Sequence, residues 1–107
     1  VAEELVAKHL SSIGYEIISR NWKRTVCELD IITRKDNIIH FVEVKYRSQA
    51  GQGSGLEYIT AKKLKQLEFA AEVWVKENSW DGDYRLMAAS VRNENGAPII
   101  EELLEIV

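Results

Sequence analysis

Residues 2–13 (AEELVAKHLSSI) place Ala2, Leu5, Val6, His9, Leu10 and Ile13 on one side of a helix, and Gly14 follows where a left-handed C-cap is wanted. On that wheel Glu4 faces outward, four residues before Lys8, while Glu3 lies on the margin of the apolar stripe beside Leu10. The pattern then changes period. Residues 15–22 (YEIISRNW) read as a strand and Lys23-Arg24-Thr25 as a basic turn. Two further β-rich runs, residues 28–33 and 38–45, flank the charged turn Arg34-Lys35-Asp36-Asn37 and form a hairpin. Both are apolar on both faces through their middles, as in strands covered on each side by helices.

Residues 48–55 (SQAGQGSG) read as a flexible loop. Ile59, Leu64, Leu67, Ala71, Trp74 and Val75 then recur at helical spacing to about Lys76, with Thr60 as N-cap. Residues 78–83 form a loop with Trp80, residues 84–91 a strand and residues 93–96 a turn, and residues 98–107 fit either a strand or a short helix. The expected class is α/β: αβββαβ order with a tail, and a mixed central sheet flanked by helices, since the hairpin requires an antiparallel pair.

The 107-residue length fits one domain over residues 1–107, and the start at Val1 rather than Met raises the expectation of a truncated N-terminus. No apolar run approaches the roughly 20 residues needed to span a bilayer, and no signal peptide lines up. A cytoplasmic protein without a membrane partner is expected. The single cysteine, Cys27, cannot form an internal disulfide, and with two His it cannot complete a four-ligand Cys/His zinc site.

Net charge is −3, from 14 Lys and Arg against 17 Asp and Glu. That total argues against a polyanion ligand, but its distribution does not. Four of the acids (Glu94, Glu101, Glu102, Glu105) follow Arg92 with no base among them, so residues 1–92 hold all 14 bases against 13 acids. Binding responds to the local field, and a basic surface is compatible with an acidic whole.

The chemistry lies in charges set inside apolar strands. Glu28 and Asp30 are two apart and expected on one face, as are Glu43 and Lys45 on the next strand. A hairpin closed over residues 34–37 brings the four groups to one end of the sheet. Close carboxylates repel, and a hard cation offsets that: Mg²⁺ takes one or two carboxylates with water and substrate phosphate. Solvated strand-end acids and a simple Glu43–Lys45 pair remain the bland alternative.

Asp30, twelve intervening residues, then Glu43-Val44-Lys45 resembles the D…(D/E)xK signature of restriction-endonuclease-like nucleases. Asn21-Trp22, Glu28-Leu29-Asp30-Ile31-Ile32 and Phe41-Val42-Glu43-Val44-Lys45-Tyr46-Arg47 resemble the YraN family, small bacterial proteins similar to archaeal Holliday junction resolvases. The resemblance covers most of residues 3–75. It implies a restriction-endonuclease-like core and a Mg²⁺-dependent (or Mn²⁺-dependent) DNA endonuclease, with branched or structured DNA as candidate substrate. It makes Asp30, Glu43 and the Val44 carbonyl metal ligands, Lys45 the catalytic lysine and Glu3 the acid of the first helix. Glu28 matches the acid two before the Asp. Lys63 matches a lysine that could hold a phosphate; a solvated face shared with Lys62 and Lys65 is its other reading. Cys27 stands where the family has Gly, and Met87 replaces the Asp of an Arg-Phe-Asp motif.

For DNA binding the expected residues are Arg24, Arg47, Lys62 and Lys63, with Arg20, Lys23 and Lys65 as further bases. Two nicks across a junction would call for a homodimer. The rival expectation is a non-catalytic nucleic-acid-binding or protein-interaction module that keeps the nuclease fold and works with a protein partner in DNA processing. His9, His40 and Cys27 are expected to be packed or surface residues. Trp22, Tyr46 and Trp80 could stack on bases, with exposed-loop and core placements as the other reading.

Overall fold

A computed structural model describes residues 1–47 and 59–106, so the loop expected over residues 48–55 lies outside the described residues. The elements are α1 (Ala2–Ser12), β1 (Glu16–Arg24), β2 (Cys27–Lys35), β3 (Ile38–Arg47), α2 (Ala61–Glu77), β4 (Tyr84–Glu94) and β5 (Ala97–Glu105). The strands form one mixed sheet in the order β1-β2-β3-β4-β5. All neighbours are antiparallel except β3 and β4, which run parallel, as the intervening α2 permits. This is the α/β class expected, compatible with a restriction-endonuclease-like core. No described helix is long and apolar enough to cross a membrane.

The two helices cover opposite faces of the sheet. Val6, Ala7 and Leu10 of α1 pack on Ile31, Val42, Met87, Ala89 and Val91. Leu67, Ala70, Ala71 and Trp74 of α2 pack on Leu29, Ile32, Ile39, Phe41 and Leu86. Phe41 is 1% exposed and meets Trp74 edge to face with centroids 5.5 Å apart. Burying such a side chain stabilises by about 1.5–3 kcal/mol. Double coverage explains why the middles of β2 and β3 are apolar on both sides.

The stripe of α1 differs from its sequence reading. Ala7, not His9, is buried, and His9 and Ile13 face solvent. The buried set 6, 7, 10 includes position 3 one turn earlier, so Glu3 belongs to the inward face. Gly14, at φ +100°, ends the helix: its N–H and that of Tyr15 donate to the Ser11 and Leu10 carbonyls, the paired bonds of a Schellman cap.

The turns explain the strand ends. Asp36 and Asn37 both have positive φ (53° and 64°), as do Asn95 and Gly96 (53° and 84°), the backbone of two-residue hairpin turns matched to strand twist. The second turn makes residues 97–105 an antiparallel edge strand, which decides between strand and helix for the tail. β1 runs on through Lys23 and Arg24, so the expected basic turn is strand, and the reversal falls at Thr25 and Val26. Charged side chains on an edge strand also discourage further strand pairing.

Candidate active site

β2 and β3 stop pairing after Ile31 and Val42. Leu29 and Ile32 pack toward α2 while Ile31 packs toward α1, so the simple alternation of β2 breaks between 29 and 31, at Asp30. Asp30 uses that break: the Val44 N–H, left without a ladder acceptor, donates to Asp30 Oδ2 at 2.8 Å. The carboxylate thus replaces strand β2 as partner for the end of β3.

Glu43, beside Val44, is half-buried, its side chain 13% exposed, and it is in hydrogen-bond contact with Asp30. Burial, first, and then the Asp30 charge push its carboxyl up to about 7, against the opposing pull of Lys63. Lys63 Nζ stands 3.1 Å from Glu43 Oε2. It is carried there by the first turn of α2, which Thr60 caps by accepting the Lys63 N–H at 3.0 Å. Glu3 joins from the other face of the sheet. Its carboxyl is raised by burial and by Asp30, with a smaller push from Glu28, while Arg20 and the chain's amino terminus lower it.

The expected residues therefore fall into three groups. Asp30, Glu43 and Val44 come together where the ladder opens, with Lys63 beside Glu43, while Glu3 feels the Asp30 charge from the α1 side. Lys45 is exposed two residues beyond Glu43 on β3. Glu28 is more open: its side chain is 61% exposed and stands 4.0 Å from Lys23, and its charge still reaches Glu3.

The basic residues also separate. Lys62 is exposed on α2, and with Lys63 and Lys65 it forms one wall of a groove of about 910 Å³ whose other wall holds Lys23, Arg24 and Val26. Arg24 is tied across the groove's end, donating to both oxygens of Glu77 and lying 4.5 Å from the Trp22 ring centre. Arg47 is a correction. Its side chain is 1% exposed and bonded to Glu101 at 2.7 Å, and Glu101 also accepts from Ser90, so Arg47 offers no surface to DNA. It follows Lys45 by two residues on an outwardly charged run, and nothing local in the sequence marks it as covered.

Of the aromatic candidates, Trp22 is buried and Trp80 donates to the Asp83 carbonyl beneath Arg34, while Tyr46 is 47% exposed. His40 is buried against Tyr15. One residue escaped the sequence reading: Phe69, 49% exposed in the groove. Its signal was present, since 69 falls off the stripe 64, 67, 71, 74.

The model of the Uncharacterised protein family UPF0102 matches residues 2–95. The chain belongs to that family. It is 38% identical over 90 residues to a UPF0102 protein of Chloroherpeton thalassium, an alignment covering 83% of this chain and 70% of that relative. A UPF0102 protein of Sulfurihydrogenibium sp. (strain YO3AOP1) is 37% identical over 91 residues, covering 84% and 79%. A Rhodococcus opacus member is 38% identical over 77 residues, covering 72% and 65%. The matched segment of this UPF0102 protein includes Glu3, Asp30, Glu43, Lys45 and Lys63, the whole acidic site and its lysines.

Proposed function

We propose that this UPF0102 protein is a metal-dependent endonuclease that hydrolyses phosphodiester bonds in DNA, with branched or structured DNA as its substrate. The observation that supports it most is the contact of Asp30 with Glu43 where β2 and β3 part. Two carboxyls held together there cannot both ionise cheaply: burial, first, and then the Asp30 charge push Glu43 up to about 7. Mg²⁺ or Mn²⁺ fits this all-oxygen set, and Asp30, Glu43 and the Val44 carbonyl are the groups that would hold it. When bound, such an ion would supply Lewis-acid polarisation of the phosphate and a more acidic water.

The remaining steps fall to the chain's own side chains. Glu43, on giving up its proton and its contact with Lys63, would be free to hold such an ion. Lys45 holds the attacking water, whose oxygen forms the new P–O bond as the bond from phosphorus to the ester oxygen breaks in line. The proton shed by that water passes to solvent, solvent water protonates the departing oxygen, and the Lys45 ammonium offsets the charge that develops on the phosphoryl oxygens. Lys63, released, neutralises a phosphate oxygen. Glu3 orders water from the α1 side.

A second reading, a non-catalytic module, is favoured by one observation. Lys63 already neutralises Glu43, and no cluster of three or more His, Cys, Asp or Glu able to hold a metal occurs among the described residues. Calorimetric titration with Mg²⁺ or Mn²⁺, followed by incubation with single-stranded, duplex, flap and four-way-junction DNA, separates the two. Metal-dependent cleavage lost in Asp30→Asn supports the nuclease; DNA binding without metal binding or cleavage supports the module.

A further inference from the structure

We infer that the groove between α2 and the β1–β2 turn holds an unpaired nucleic-acid strand, with a base stacked on Phe69 and phosphates on Lys62 and Lys65. This deepens the nuclease reading and rests on it for the relation of the groove to the acidic site. The groove is about 910 Å³. Lys62, Gln66 and Phe69 recur at i, i+4 and i+7 along the wall formed by α2, a run of about 10 Å.

Two features point to a strand rather than a duplex. The first is charge: among the described residues Lys62 and Lys65 form no ion pair, so both are open to an anion, and Lys63 connects the same wall to Glu43 at 3.1 Å. The second is apolar surface within the same concavity. Phe69 is 49% exposed and Val26, on the facing wall, 76% exposed. A duplex presents only phosphates and sugars to such a groove and leaves both side chains wet, whereas an unpaired base offers a π-face to the phenyl ring. An acidic peptide matches the lysines but makes poor use of the ring.

The test is fluorescence anisotropy with a labelled dT12 oligonucleotide and a labelled blunt 12-base-pair duplex, both in Ca²⁺ and in EDTA, with poly-glutamate as competitor. The expected result is tighter binding of dT12, weakened at least fivefold by Phe69→Ala with an unchanged salt slope. Lys62→Ala with Lys65→Ala should make that slope shallower by about 1.4. Both sites are exposed, and matched melting temperatures confirm folding. Equal or tighter duplex binding, full affinity in Phe69→Ala, no dT12 binding, or displacement by poly-glutamate at equal charge overturns the inference. Duplex cleavage with an indifferent groove would leave the nuclease standing and remove this inference; dT12 binding through Phe69 without cleavage of any DNA would do the reverse.

Discussion

Asp30 Oδ2 accepts the Val44 N–H at 2.8 Å, so the acid nearest the centre of the site is also the group that ends the sheet ladder. These two roles are separable by substitution. An Asn side chain keeps an oxygen for Val44 and loses the charge, whereas Ala leaves the amide without its acceptor, at a cost of about 1–3 kcal/mol. Asp30→Asn is expected to melt within a few degrees of the native protein and to lose metal-dependent cleavage. Asp30→Ala is expected to lose both cleavage and several degrees. Thermal melts beside a cleavage assay check this; an Asn variant as unstable as the Ala variant would make the charge itself structural.

The Glu43 carboxyl, raised from 4.5 to about 7, makes the metal-free protein pH-dependent. Between those values the folded state holds a proton that the unfolded chain has released, so stability contributed at low pH is lost as pH rises toward 7. The loss is on the order of 3 kcal/mol. Glu43→Gln cannot ionise: it should melt near the native protein at pH 4.5 and several degrees above it at pH 8. Saturating Mg²⁺ should close that gap by stabilising only the native protein. A Gln variant less stable at every pH would show that the Lys63 ion pair outweighs the repulsion.

What the sequence made legible follows from which forces are local. The doubly apolar runs of residues 28–33 and 38–45, the helical spacing of Leu64, Leu67, Ala71 and Trp74, and the Thr60 cap are set by nearest neighbours along the chain, and the structure has them. The stripe of α1 was read one position off because His9 and Ala7 are both tolerable beside Leu10, and only the sheet beneath chooses Ala7. The tail remained open between strand and helix, since its side chains alternate weakly and the deciding Asn95-Gly96 turn acts through β4. In the site, Asp30 and Glu43 were legible as charges in apolar strands. The exposure of Glu28 beside Lys23 was not, because it depends on the β1–β2 register that sets those two residues opposite one another. Arg47 was misplaced because Glu101, which holds it, is 54 positions on.

Lys63 sits where a divalent cation would compete for Glu43. Lys63→Met should therefore raise the Glu43 carboxyl further, since the ammonium is what pulls it down, and should tighten Mn²⁺ binding at pH 8 by removing the internal competitor. DNA affinity should fall, with the salt slope shallower by about 0.9 for a duplex. Calorimetry with metal alone reads the first effect and anisotropy the second. Unchanged metal affinity would mean that the lysine leaves Glu43 at no cost.

Lys45 is expected to act on the reacting water, not on folding or on the metal. It is exposed at the end of β3, so Lys45→Ala should leave the melting temperature within about two degrees and metal affinity unchanged or slightly higher, while cleavage falls by at least a hundredfold. Lys45→Arg should not rescue it, because a planar guanidinium does not replace a compact ammonium against one water. Turnover retained in either variant would assign the attacking water to another residue.

Arg47 separates packing from binding. Its side chain is 1% exposed and bonded to Glu101, which also accepts from Ser90 and stands 3.7 Å from Arg92 Nε. Removing one partner of a buried pair leaves the other charge uncompensated, at about 3–5 kcal/mol. Arg92 and the partial exposure of Glu101 bring the expected cost to the low end, about 3 kcal/mol. Arg47→Met should then unfold at lower urea by that amount, and the Arg47→Met, Glu101→Leu double variant should recover most of the loss. In every variant that still folds, DNA affinity and its salt slope should match the native protein, because this side chain is covered. A shallower slope in Arg47→Met would place the guanidinium at the DNA after all.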